Sequence, residues 1–242
     1  VISGKPYYYL RASERKGNKV KVYFPADKKY APQKNEFGFS SINFPMYKDY
    51  RIAFPFGVEK AARDLDIVHM HTQFVMGAAG WHVAKKFGLP KVFTYHTPVE
   101  MYGFYFSKSK FLTKQFIKLY LYWEKRLLNS CDLITVGSNY IRNYLLEKGI
   151  KTKIEVVQNG IDLKVFKPEK KSRCREKFNI NSGNVIGYCG RIGYEKHLED
   201  LIKAAPRFKG EILIAGDGPA VEFYKKMAGR YENIRFLGFM QQ

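Results

Sequence analysis

Gly190, Arg191 and Lys196 place a glycine, a planar guanidinium fork and a mobile ammonium on one short loop. These two cations are the pair that grips a diphosphate, the fork by paired hydrogen bonds and the ammonium as a point charge. A glycine at the end of a strand also lets backbone approach a ligand where a side chain would block it. Taken alone, the segment reads equally as an exposed basic turn. Other polar groups gather in the same way, directly after apolar runs. His69 and His71 precede Thr72 and Gln73, and His96 with Thr97 precedes Glu100. Ser138 and Asn139, Asn159 and Asp162, and Gly216-Asp217-Gly218-Pro219 follow later.

Each of these has a plainer reading. His69-Met70-His71 puts two imidazoles on one face of a strand with no carboxylate nearby, so no metal is expected. His96 is equally a hydrogen-bonded core histidine, and Asn159-Gly160 and Gly216 to Pro219 are ordinary turn chemistry. The glycine fingerprints of dinucleotide and P-loop sites and the serine elbow of hydrolases do not occur.

Position gives these groups their meaning, because the crevice of an open α/β sheet lies at the carboxyl ends of its strands. The chain reads as a helix from Val1 to Lys16, a strand from Lys19 to Phe24 closed by Pro25, and loops to Phe56 with short strands near 39–43 and 50–53. A rhythm then begins. Helix Val58–Leu65, strand Ile67–His71, helix Met76–Phe87, strand Lys91–Tyr95, helix Ser109–Asn129 and strand Leu133–Val136 follow in turn. Ser138 is placed to cap a helix from Tyr140 to Lys148, and Ile154–Val157 is a further strand. The segment 158–170 breaks the rhythm with Asn159-Gly160, Pro168 and lysines. A second series follows: strand Asn184–Tyr188, helix Leu198–Ala205, strand Glu211–Ala215, helix Ala220–Gly229 and strand Ile234–Leu237. Alternating strands and helices predict parallel sheets covered on both faces. Two domains are expected, 1–166 and 167–242. The first lacks an opening strand and the second has only three, so the chain reads as truncated at both ends.

Composition narrows the partners. Lys+Arg 42 against Asp+Glu 22 gives a net charge of +20, enough to draw a polyanion or an anionic membrane surface. No helix-turn-helix, zinc-finger or RNA-recognition signature accompanies it, and the lysines are spread along the chain. The three cysteines, Cys131, Cys174 and Cys189, are far apart and odd in number, which fits a reducing cytoplasm. No run approaches the roughly 18 apolar residues of a membrane span. In the 109–129 helix, Leu112, Phe116, Leu119, Trp123 and Leu127 form an apolar stripe, and Lys110, Lys114 and Lys118 line another face with Lys108 just before. That pattern serves a membrane-surface helix or, equally, a core helix with a solvated face.

In order, these segments resemble the retaining glycosyltransferases of family 4, which have the GT-B fold. The resemblance rests on Asp66-Ile67-Val68-His69-Met70-His71-Thr72, Thr94-Tyr95-His96-Thr97, Val136-Gly137-Ser138 and Asn159-Gly160-Ile161-Asp162. It continues through Gly190-Arg191 with Lys196, Gly216-Asp217-Gly218-Pro219 and Phe236-Leu237-Gly238. The run from Tyr95 through Glu100 to Tyr102, with the basic helix after it, is similar to the diacylglycerol glucosyltransferase branch.

The resemblance implies two Rossmann-like domains facing a cleft, the first for acceptor and the second for a nucleotide sugar. It implies that Arg191 and Lys196 hold the donor diphosphate and stabilise the departing nucleoside diphosphate, with Gly190 leaving backbone room beside it. It further implies that His96 reaches the donor sugar, with Thr97 and Asn159 lining the substrate site, and that Met240 lies where backbone meets the base. The glutamate pair of the family is expected beyond Gln242 and its glycine-rich loop before Val1. The expected activity is transfer of a hexose, glucose first, from a nucleoside diphosphate to a lipid hydroxyl such as that of diacylglycerol. It needs neither cofactor nor metal and takes place at the inner face of the cell membrane, where Lys108, Lys110, Lys114 and Lys118 meet anionic lipid. A soluble sugar or polysaccharide acceptor is the near alternative. A basic nucleic-acid-binding α/β protein without catalysis is the distant one.

Overall fold

The computed structural model describes residues 16–27, 30–31, 33–44, 47–96, 98–100, 110–168, 175–181 and 183–240. The chain divides into two compact units, Val1–Gly160 and Ile161–Gln242. The helix expected over 1–16 lies outside the described residues but for its last.

In the first unit, β1 (Val22–Ala26), β2 (Glu36–Phe44) and β3 (Tyr47–Ala53) form a small sheet in that order. β1 and β2 run parallel, and β2 and β3 antiparallel. Pro25, expected to close the strand, instead sits inside β1 opposite Phe39. β1 is the edge of this sheet, where proline is tolerated. β2 and β3 are also longer than the short strands expected in what reads as loop. Aromatic contacts hold β2 against β1, where Tyr23 stacks on Phe37 with ring centroids 4.9 Å apart.

The second sheet of this unit holds β4 (Val68–Met70), β5 (Lys91–Tyr95), β6 (Leu133–Val136) and β7 (Ile154–Val156) in sequential order, all parallel. The short helix α1 (Val58–Ala61) precedes β4 and stops a turn earlier than expected. α2 (Val75–Phe87), α3 (Lys110–Asn129) and α4 (Asn139–Glu147) make the crossovers. Such crossovers force every strand to end on the same side. Phe93, Tyr95, Ile134 and Val136 are fully covered by helix residues including Val83, Ala84, Leu127, Leu128 and Leu145. Ser138 caps α4 by accepting from the Ile141 N–H, and Gly88 ends α2 in the left-handed region at φ 67°.

α3 differs from its sequence pattern. Leu127 is buried, but Phe116 and Leu119 of the apolar stripe are exposed, and the buried face instead carries Tyr120, Glu124 and Leu128. Leu112 lies among side chains outside the description.

The second unit repeats the parallel plan on a smaller scale. β8 (Val185–Cys189), α5 (Leu198–Ala204), β9 (Glu211–Ala215), α6 (Val221–Ala228) and β10 (Ile234–Gly238) give a sheet in the order β10-β9-β8. Ile202, Ile212, Ile214 and Tyr224 form its dry centre with Ile192 and Leu198. Both units are therefore Rossmann-like, mixed α/β with parallel sheets.

Candidate functional site

In the second unit, three strand ends are stitched together by backbone. Gly190 N–H donates to Ala215 O at 3.0 Å, Ile192 N–H to Asp217 O at 2.8 Å, and Gly216 N–H to Gly238 O at 2.8 Å. The packing is tight enough to exclude a side chain. A Cβ on Gly216 would come 1.8 Å from Gly190 O, and one on Gly218 would come 2.3 Å from Ile192 O. Gly216 also holds φ at 136°. Turn chemistry suffices to explain Gly216 to Pro219 in the sequence. The structure adds a reason of its own: this loop is the floor on which the Gly190–Ile192 backbone rests.

That floor carries the cations. Arg191 is held at its carbonyl by the Tyr188 hydroxyl, which donates at 2.8 Å. Its guanidinium Nη1 donates to Glu195 Oε1 at 3.0 Å. The Glu195 side chain is only 8% exposed, and its carboxylate lies over Gly193, where any Cβ would overlap it. Lys196 ends a short 3-10 turn from Tyr194, is exposed, and makes no ion pair with a described residue. One guanidinium is thus aimed by a buried carboxylate, and five positions on, an exposed ammonium makes no ion pair with a described residue. The arrangement suits an oxyanion of more than one charge. Glu195, Gly193 and Tyr188 were not singled out from sequence. The i, i+4 spacing of Arg191 and Glu195 is the signal that points to them.

In the first unit, the ends of β4 and β5 bring three imidazoles together. His69 and His71 pack at a tilt with ring centroids 4.2 Å apart, and His71 Nδ1 lies 3.2 Å from His96 Nε2. Beneath them, His69 Nε2 is 2.7 Å from Thr94 Oγ1, which is 2.7 Å from Thr135 Oγ1. The loop carrying His71 and Thr72 lies against the start of α2, since a Cβ on Gly77 would fall 1.7 Å from Thr72 O. Loss of surrounding water, and then the neighbouring imidazoles, push the His71 pKa down to about 3. The His69 pKa is lowered for the same reasons, though one side of that ring remains open to solvent. These rings are therefore neutral donors and acceptors at neutral pH. Among the described residues no group of three or more His, Cys, Asp and Glu is arranged to hold a metal ion.

A second polar group lies under the same edge. Tyr95 is 1% exposed, and its hydroxyl has no hydrogen bond of good geometry with a described residue. Glu124 is buried, accepting from the Tyr120 hydroxyl at 3.2 Å. Burial first, and the nearby Glu100 second, push the Glu124 pKa up to about 7. Glu100 accepts from the Tyr144 hydroxyl at 2.6 Å and pairs with Lys148 at 3.0 Å. Burial works to raise its pKa, but hydrogen bonds from Tyr144, its own backbone and Lys148 outweigh this and leave it lowered.

The remaining residues singled out from sequence separate by place. Asn159 is exposed just after β7, and its amide nitrogen lies 3.7 Å from where a Cβ on Gly137 would stand. Met240 is half-buried just after β10. Thr97 and Lys108 lie outside the described residues, as does the side chain of Lys110, which begins α3. Lys114 and Lys118 are exposed on that helix. Phe111, Leu119 and Tyr122 are exposed on it as well. No helix among the described residues is long and apolar enough to cross a membrane.

The family model described as Glycosyltransferase Family 4 matches residues 7–165. The alpha-monoglucosyldiacylglycerol synthase of Streptococcus pneumoniae R6 is 29% identical over 221 residues, 83% of this chain and 49% of that protein. A GDP-mannose-dependent alpha-mannosyltransferase of Corynebacterium glutamicum is 27% identical over 164 residues, 67% of this chain and 38% of that protein. The chain thus spans about half the length of the pneumococcal relative, or less of the other. Among solved structures, sucrose-phosphate synthase from Thermosynechococcus elongatus is similar with a TM-score of 0.73 at 18% identity, covering 97% of this chain and 64% of that one. The fold is that of the GT-B glycosyltransferases.

Proposed function

The chain belongs to glycosyltransferase family 4, and on that premise we propose that the whole protein is a retaining glycosyltransferase. In this reading it moves a hexose, glucose first, from a nucleoside-diphosphate sugar to a lipid hydroxyl such as that of diacylglycerol. The observation that carries the reading is the Gly190–Lys196 loop, two cations on backbone too closely packed to shift. As the glycosidic bond to the donor breaks, negative charge grows on the departing diphosphate. Arg191 and Lys196 stabilise that charge with no reorganisation, the largest kind of contribution a site of this type makes. They supply the charge that a metal would supply elsewhere, so the reaction runs without one. Gly190 admits the phosphate to the backbone, Met240 lies beside the base, and His96, Thr97 and Asn159 line the side of sugar and acceptor.

The lipid acceptor is supported by the pneumococcal relative, whose name is that of a diacylglycerol-linked glucolipid synthase. It is also supported by α3, where Phe111, Leu119 and Tyr122 stand exposed among Lys114, Lys118 and Arg126. Apolar side chains among lysines suit the boundary between headgroups and acyl chains. With Lys108 and Lys110 they would hold the protein at the anionic inner face of the cell membrane. The mannosyltransferase relative favours a second reading for the donor, a mannose nucleotide with the same phosphate chemistry.

A panel of nucleoside diphosphates and their sugars, scored by thermal stabilisation of the whole protein, tests the reading. A shift with one uridine or guanosine diphosphate sugar is expected, together with release of the diphosphate when lipid acceptor is added. Stabilisation by single-stranded RNA and by no nucleotide sugar would defeat it.

A further inference from the structure

The two imidazoles that meet at the ends of β4 and β5 are joined through one nitrogen each, Nδ1 of His71 and Nε2 of His96, 3.2 Å apart. A neutral imidazole has one N–H and one acceptor nitrogen. If His71 donates from Nδ1, His96 accepts at Nε2 and must carry its own proton on Nδ1. If His96 donates from Nε2, His71 accepts at Nδ1 and must carry its proton on Nε2. Either way both rings hold the same tautomer. His71 is held by its neighbour, because its ring packs at a tilt against His69, which is tied to Thr94 and through it to Thr135 on β6. The support therefore runs from a buried strand pair out to the exposed His96 ring.

We propose that His71 is a positioning residue for His96: their shared hydrogen bond holds the two rings in matching tautomers, engages Nε2 of His96 and so leaves its Nδ1 as the nitrogen offered to the ligand. This deepens the reading given above, in which His96 meets the donor sugar. A ring without that partner could turn either nitrogen to a sugar hydroxyl, and its tautomer would be set independently of His71. Low His71 basicity keeps a second proton off its own ring.

Two readouts test this. In the 15N-histidine-labelled full chain near pH 7.5, ring-nitrogen chemical shifts should show His71 and His96 in the same tautomer. The chain has five histidines, so single substitutions assign them. In His71→Phe, which keeps a ring against His69, His96 should change to an averaged, two-tautomer signature. His71→Asn, whose amide stands near Nδ1, should restore a single one. In the whole protein, His71→Phe should lower kcat for nucleotide-sugar turnover by roughly 10- to 100-fold with KM for the donor within about threefold, and His71→Asn should recover most of it. Opposite tautomers in the unsubstituted chain would overturn the proposal. So would an unchanged His96 signature in His71→Phe, or an unchanged kcat. If His71→Phe fails to fold, the unsubstituted spectrum and His71→Asn still decide. If no nucleotide sugar is turned over by the unsubstituted protein, the glycosyltransferase reading falls while the spectra still judge the tautomer lock.

Discussion

The two units do their polar work in opposite ways. The first places His71 and Glu124 where water is scarce, and lets burial hold that imidazole and that carboxyl in their neutral forms. The second keeps its charges and arranges them, seating the Glu195 carboxylate against Arg191 and leaving Lys196 exposed. Removing water from a charge is costly, and a protein answers either by discharging the group or by pairing it. A site for a neutral sugar suits the first solution and a site for a diphosphate suits the second.

The contrast breaks most easily at the charged end. Lys196→Ala should lower kcat/KM for the nucleotide sugar by about 100- to 1,000-fold, the usual loss when one fixed transition-state donor is removed. Arg191→Ala should match it, and near-normal turnover in both would mean the phosphate binds elsewhere. The next effect is on stability. Gly218→Ala would drive a methyl into the Ile192 carbonyl, and should destabilise the second unit by about 2–4 kcal/mol in urea denaturation. Gly183→Ala, in the same unit, has nothing within 4 Å to meet and should move the midpoint little. Equal effects would show that the backbone contact is not as close as described.

The discharged end is tested by pH. The Glu124 pKa in the folded chain, about 7, stands above its ordinary 4.5, so folding takes up a proton between those values. Stability from this group is full below about pH 4.5 and is lost as pH rises through 7. Glu124→Gln removes that loss, so its gain over the parent should grow from near zero at pH 4 to on the order of 3 kcal/mol at pH 8. A gain independent of pH would show that Glu124 is ionised in the folded protein. The smallest effect belongs to α3. Reversing Lys114 or Lys118 to Glu should weaken binding to vesicles of anionic lipid by a few-fold each, at roughly 1 kcal/mol per charge, with no change on neutral vesicles. Indifference to lipid charge would remove the membrane from the reading.

The strands of the parallel sheet and its crossover helices were legible because they rest on repetition: short apolar runs, glycine stops and a serine cap recur from Ile67 to Val157. The cation loop was legible for a similar reason, as Gly190, Arg191 and Lys196 lie within seven residues. What lay hidden depends on contacts between distant segments. Pro25 reads as a stop until β1 proves to be an edge. Gly218 reads as turn chemistry until Ile192 is found against it, 26 positions away. Glu124 reads as one more charged residue of a helix, because an i, i+4 stripe cannot say which face tertiary packing will choose. The Thr135–Thr94–His69 line joins three strands and leaves no mark in any one of them.

The carboxylate beneath Arg191 has a consequence for selectivity. With Glu195 already in contact with the guanidinium, an incoming anion competes with an existing partner and gains less than it would at a lone arginine. On the proposed reading, a ligand that also meets the Lys196 ammonium would offset that cost, and a small monovalent anion such as chloride would not.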